Sequence, residues 1–190
     1  MDKIQSNGNN QFMPALLQTK IQLPPLRSEH VTRGRILSQI GAEATARLVL
    51  VSAPAGFGKS TALIQWAHGL REKGTLVAWY ALDERDNDPA HFAAYLLGTF
   101  RTHDAAFSSP PYYEEGDNFQ DAVDHILNAA TVANTPIVLI LDDYHLISES
   151  RIHDAIGRMI DHMPPNMRLA IGTRADPPLQ LARLRVRSEI

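Results

Sequence analysis

Residues 53–60 read Ala-Pro-Ala-Gly-Phe-Gly-Lys-Ser, and no other stretch of the chain is better suited to holding an anion. They follow the apolar run Leu48-Val49-Leu50-Val51 and precede a helix-like pattern. In a strand, loop, helix context the loop's backbone N–H groups turn inward as an anion nest, and the helix points its positive end at the same place. A phosphate chain held there meets Lys59 as a point charge on its β- and γ-groups and the Ser60 hydroxyl as a ligand for Mg²⁺. The reading is a nucleotide-binding P-loop, in which Ala53, Ala55, Gly56, Phe57, Gly58, Lys59, Ser60 and Thr61 contact the nucleotide. Ala53 stands where glycine is most usual, and it closes the loop provided position 53 does not need positive φ.

Two further groups belong beside this loop. Leu139-Ile140-Leu141-Asp142-Asp143 is an apolar run ending in acids, the Walker B pattern, about eighty residues after the P-loop. Asp142 is expected to hold Mg²⁺ through water, because that ion dehydrates reluctantly. Asp143 is expected to orient or deprotonate an attacking water. Thr173-Arg174 ends the next strand pattern, where an arginine reaches a γ-phosphate and stabilises charge on it. Ligands of parallel sheets bind at the C-terminal ends of the strands, which is where all these groups fall.

The elements that must position them are legible as alternation. Arg47 to Ser52, Leu76 to Leu82, Ile137 to Leu141 and Arg168 to Thr173 read as strands. Helical patterns run from Ser60 to Lys73, from Asp88-Pro89 with Phe92, Leu96, Thr99 and Phe100 inward, from Phe119 to Asn134 with Val123, Ile126, Leu127 and Ala130 inward, and from Ser150 to Met163. Strand and helix alternate, so the expected fold class is α/β, a three-layer P-loop NTPase with a mainly parallel central sheet. Residues 1–18 read as a flexible tail and 19–190 as the domain. Residues 19–35 read as extended around Pro24-Pro25, followed by a short helix from Arg35 to Ala44. Residues 103–118 read as a long polar loop containing Pro110-Pro111-Tyr112-Tyr113.

Composition narrows the classes. The chain has 190 residues, 44% hydrophobic and 21% charged, enough for one packed core. A net charge of −3 gives no global electrostatic footprint for nucleic acid. The absence of cysteine excludes disulfides and thiolate metal sites. The polar opening residues lack the apolar core of a signal peptide, and the longest apolar runs are of strand length, so a cytoplasmic protein without membrane contact is expected. His145, His153 and His162 do not share a ligand spacing, which argues against a histidine metal site, although His145 falls close enough to Asp143 to line the site. Arg183, Arg185 and Arg187 read as a solvated basic face.

Together these residues resemble the nucleotide-binding domain of the STAND NTPases, in the branch of large LuxR-type, ATP-dependent transcriptional regulators. The matching segments are Thr19-Lys20-Ile21 with Val31-Thr32-Arg33, Ser52 to Thr61, Trp79 to Asp83, and Asp86-Asn87-Asp88-Pro89 with Phe92 and Tyr95-Leu96. Asp142-Asp143-Tyr144-His145-Leu146-Ile147, Thr173-Arg174 and Leu184 to Arg187 complete them, and the Asp-Asp-Tyr-His-Leu-Ile string is the most specific. The resemblance implies an ATP-driven switch: ATP favours an active, self-associating form and slow hydrolysis to ADP resets it. It also implies that Val31 and Arg33 lie near the adenine and that Arg174 senses the γ-phosphate. Regulators of this kind continue into winged-helix, superhelical sensor and helix-turn-helix domains. The sequence ends at Ile190, so the expectation is a switch domain without its own sensor or DNA-binding domain (a fragment, a truncated gene product, or a domain that works with other regulator domains) and a sheet lacking its fifth strand beside the P-loop strand. Two other readings are a P-loop kinase of a small molecule, with Arg183, Arg185 and Arg187 as lid residues, and a nucleotide-binding interaction module without turnover.

Overall fold

Ile137-Val138-Leu139-Ile140-Leu141 carries apolar side chains toward both faces, which suits a strand in the middle of a covered sheet. It forms β3 (Ile137–Asp142), buried along its whole length. The structure, a computed structural model, describes residues 16–26, 46–101, 107, 119–187 and 190. In it β3 lies between β4 (Met167–Thr173) and β2 (Leu76–Ala81), with β1 (Leu48–Ser52) beyond β4. The order is β1-β4-β3-β2 and every pairing is parallel, as the alternation predicts. Among the described residues β1 is an edge strand, and Val49, Leu50 and Val51 are only half-buried there.

Alternate residues of each strand sort into two cores. Val77, Trp79, Val138, Ile140 and Ala170 face Leu63, Trp66 and Ala67 of α2, a helix from Lys59 to Glu72. Ala78, Tyr80, Ile137, Leu139, Leu141, Leu169 and Ile171 face the larger core on the other side. That core is covered by α3 (Pro89–Arg101), α4 (Phe119–Val132) and α5 (Ser150–His162). The result is the expected three layers. The observed bounds fall within two residues of the predicted ones, because caps and breakers set them. Asp88 accepts from the His91 amide at 2.9 Å ahead of Pro89, and α2 ends in paired Gly74 N–H to Arg71 and Thr75 N–H to Leu70 bonds.

Four features differ from expectation. Residues 18–21, read as tail and extended chain, form one helical turn, α1 (Gln18–Ile21). Within the stretch read as tail, Leu16 packs on the larger core and the Leu17 amide donates to the Tyr95 hydroxyl at 3.0 Å. Pro24 and Pro25 lie outside any helix, as Pro-punctuated chain must. A 3-10 turn, Glu84–Asn87, follows β2, and a last short helix, α6 (Leu181–Val186), was not legible as such. Ile21 packs into the larger core and Leu23 against the smaller one, so the segment 16–26 passes around β2, the other edge strand among the described residues. The helix expected over 35–44 and the Pro110 to Tyr113 segment lie outside the described residues.

Candidate functional site

Parallel strands deliver their C-terminal ends to one edge, and β1, β3 and β4 each bring a polar group there. The loop after β1 begins with the Ala53 amide donating to the Thr173 carbonyl of β4 at 3.3 Å. Gly56 and Gly58 have φ of 79° and 76°, left-handed backbone that favours glycine. Outside glycine, positive φ occurs among the described residues only at Asp143 and Gln180, so position 53 accommodates alanine without strain. Gly58 caps α2 with no side-chain hydrogen bond, so the first helical N–H groups have no capping side chain. Pro54, Ala55, Gly56 and Phe57 are exposed, and Ser60 and Thr61 are half-buried. Lys59 is only 8% exposed, and its Nζ donates to the Pro54 carbonyl at 3.1 Å. The ammonium thus lies over the loop whose amides an anion would use.

Asp142 closes β3 at 5% exposure. Burial raises its pKa above the ordinary carboxylate value and the Asp143 charge adds to this, while the neighbouring Ser60 hydroxyl and Lys59 pull the other way. A buried carboxylate costly to ionise, with a hydroxyl beside it, is a donor set that suits a hard divalent cation. Gly172 of β4 makes room for it: a Cβ there would stand 2.5 Å from Asp142 Oδ1 and 2.8 Å from Leu63 Cδ1. Sequence reasoning missed Gly172, because the approach is between strands and leaves no local signal.

Asp143 follows with φ 58° and ψ 35°, and its amide donates to Asp142 Oδ1 at 3.1 Å. This left-handed, non-glycine residue opens the 3-10 turn Tyr144–Leu146 and leaves its own carboxylate 41% exposed. His145 Nδ1 stands 3.8 Å from Asp143 Oδ1. Neither His145 ring nitrogen has a hydrogen-bond partner among the described residues. Burial lowers the His145 pKa, with Arg174 and Lys59 adding to the effect and Asp143 opposing it. A neutral imidazole therefore sits among a carboxylate and two cations. Tyr144 is buried and its hydroxyl meets His153 Nδ1 on α5 at 2.9 Å. Arg174 is exposed at the end of β4.

The structure thus brings the loop 53–61, Asp142, Asp143, His145 and Arg174 to one edge of the sheet. Val31 and Arg33 lie outside the described residues. The basic trio near the C-terminus is a solvent face: Arg183 pairs with Asp161, Arg185 with Asp176 at 3.1 Å, and Arg187 is exposed.

No protein-family model matches the chain. It is 34% identical over 184 residues to the HTH-type transcriptional regulator MalT of Serratia proteamaculans, a match covering 92% of this chain and 19% of that protein. It is 36% identical over 171 residues to MalT of Klebsiella pneumoniae subsp. pneumoniae, covering 87% of this chain and 18% of that protein. The chain is therefore homologous to MalT over about nine-tenths of its own length and spans roughly a fifth of those relatives. Among solved structures, Cdc6p from Pyrobaculum aerophilum matches with a TM-score of 0.57 at 11% identity, covering 88% of this chain and 48% of that one. The ORC2 protein of Aeropyrum pernix in its ADP form matches with a TM-score of 0.52 at 14% identity, covering 96% of this chain and 47% of that one. At these identities the likeness is one of fold alone, an α/β arrangement around a parallel sheet.

Proposed function

We propose that this chain, homologous over most of its length to MalT, is an ATP-binding, slowly ATP-hydrolysing switch domain of a transcriptional regulator. The observation that carries the proposal is the convergence of Lys59, Asp142, Asp143, His145 and Arg174 on a glycine-containing loop at the C-terminal edge of a parallel sheet. In this reading the loop amides from Ala55 to Thr61 hold the phosphates and Lys59 neutralises the β- and γ-groups. Ser60 and Asp142 are the residues that hold Mg²⁺, which when bound offsets the phosphate charge. By the family resemblance Val31 and Arg33, outside the described residues, would lie near the adenine.

Asp143 orients the attacking water and accepts its proton, and the bond from the γ-phosphorus to the ADP oxygen breaks as water adds. His145, neutral and 3.8 Å from the Asp143 carboxylate, completes the polar wall around that water. Lys59 and Arg174 stabilise the charge on the transferred group. A γ-phosphate biases two conformations only if it contacts them differently, and Arg174 and the loop after Asp143 are the candidates for that difference. Self-association and contact with other regulator domains are the expected readouts of the ATP state. No described helix is long and apolar enough to cross a membrane, and a cytoplasmic location is part of the proposal. No residue of this chain is assigned to DNA recognition.

Phosphate release from Mg²⁺-ATP, with and without small-molecule acceptors, tests the proposal against the Asp143→Asn variant. The expected result is slow release to water that the variant loses while still binding ATP. Acceptor-dependent turnover would establish a kinase instead, and binding without any turnover a passive nucleotide-binding module.

A further inference from the structure

The loop from Asp143 to Ser148 carries the carboxylate and the imidazole of the site, yet its backbone begins in a conformation that L-residues disfavour. Something must hold it. One side chain outside the loop grips its far half. Asn87 Oδ1 accepts from the Ser148 amide at 2.7 Å, the Glu149 amide at 3.1 Å and the Ser148 hydroxyl at 3.1 Å. Asn87 Nδ2 donates to the Leu146 carbonyl at 2.9 Å and to the Glu84 carbonyl at 3.1 Å. Both ends of one amide are therefore engaged, four of the five bonds going to residues 146–149. The loop's own bonds, Leu146 N–H to Asp143 and Ile147 N–H to Tyr144, fix its shape but not its place.

The residue beside Asn87 explains why the grip does not yield. Asp86 is wholly buried and takes two bonds from Lys20 Nζ, at 2.8 and 2.7 Å. It also accepts from the Tyr80 hydroxyl at 2.6 Å and the Asp83 amide at 2.7 Å. The turn Glu84–Asn87 is thus bolted to β2 and to the segment 16–26 on one side and holds the loop on the other.

We propose that Asn87 is the positioning residue of the Asp143–Ser148 loop, acting on turnover through the placement of Asp143 and His145 and not through contact with the nucleotide. The inference rests on the hydrolytic reading above. Its consequence is a separation of effects. Loss of the grip lets the loop shift, which costs the alignment of the water-orienting groups, while the phosphate loop on β1 and α2 stays intact.

The experiment compares the full chain as wild type, Asn87→Ala, Asn87→Asp and Asp143→Asn. Single-turnover hydrolysis of Mg²⁺-ATP gives the rate, calorimetry with a non-hydrolysable ATP analogue gives affinity, and amide exchange follows residues 143–149. Asn87→Ala is expected to slow hydrolysis tenfold or more with affinity within threefold of wild type, and to speed exchange at Ser148 and Glu149. Asn87→Asp keeps the shape but sets a carboxylate oxygen against the Glu84 and Leu146 carbonyls, so it also slows hydrolysis, and it decides the matter if the alanine variant does not fold. A folded variant hydrolysing within twofold of wild type, or losing rate and affinity in parallel, overturns the inference. A wild type no faster than Asp143→Asn overturns the hydrolytic reading itself, which separates the two failures.

Discussion

Replacing Lys20 by methionine strands the most deeply buried carboxylate of the described residues. Lys20 is 8% exposed and Asp86 0%. The substitution removes two charge-assisted bonds to Asp86, the 3.0 Å ion pair with Asp83, and the placement of a cation 4.7 Å from the Tyr95 ring centroid. The Asp83 carboxylate is half-exposed and recovers water, so its pair is worth only about 0–1 kcal/mol. Asp86 has no such recourse. It keeps the Tyr80 hydroxyl and the Asp83 amide, with His91 Nε2 at 3.4 Å. Removing one partner of a buried pair costs about 3–5 kcal/mol, mostly as the uncompensated charge. With a urea slope of about 2 kcal/mol/M, the denaturation midpoint falls by roughly 2 M. The double variant Lys20→Met/Asp86→Asn removes the stranded charge, and its midpoint is expected to recover a large part of the loss. A fall under about 0.5 M in the single variant, or no recovery in the double, refutes the view of this pair as a buried clamp.

Asp142→Ala removes the buried metal donor, so ATP binding is expected to persist while its dependence on Mg²⁺ disappears in a titration at varied Mg²⁺. Stability should decline on acidification through the histidines. Burial lowers the pKa of His145 and His153 below the ordinary 6.5, so the fold keeps both neutral while the unfolded chain takes up protons. Their contribution is complete above 6.5 and is lost as pH falls toward the lowered folded values. Asp142, with its raised pKa, contributes with the opposite sign, complete below 3.8 and lost as pH rises through its folded value. Urea midpoints are expected to drop between neutral pH and the mildly acidic range, and the His145→Asn/His153→Asn variant should flatten that drop.

The strands, the four long helices and the phosphate loop were legible because their signals are local. Apolar runs of strand length, Pro89 after a capping Asp88, and Gly56 and Gly58 in the loop each speak for their own few residues. What was not legible is long-range. Lys20 and Asp86 are 66 residues apart, and a lone lysine in a Pro-punctuated segment reads as solvated until its partner is placed. Asn87 reaches residues 59 to 62 positions away, and its neighbours Asp86 and Asp88 suggest only a polar turn. Gly172 sits in an ordinary strand pattern, and its lack of a side chain matters only because Asp142 of the next strand leans across it. The turn of helix at Gln18–Ile21 is held by the core it packs on, not by propensity.

The loop from Ala53 to Thr61 with Lys59 is expected to bind a nucleoside triphosphate. Calorimetric titration of the chain and of Lys59→Ala with Mg²⁺ and ATP, ADP or GTP tests it most directly. The wild-type chain is expected to bind ATP, and the variant to lose that binding while remaining folded. Equal Mg²⁺-ATP affinity in the two proteins would contradict it.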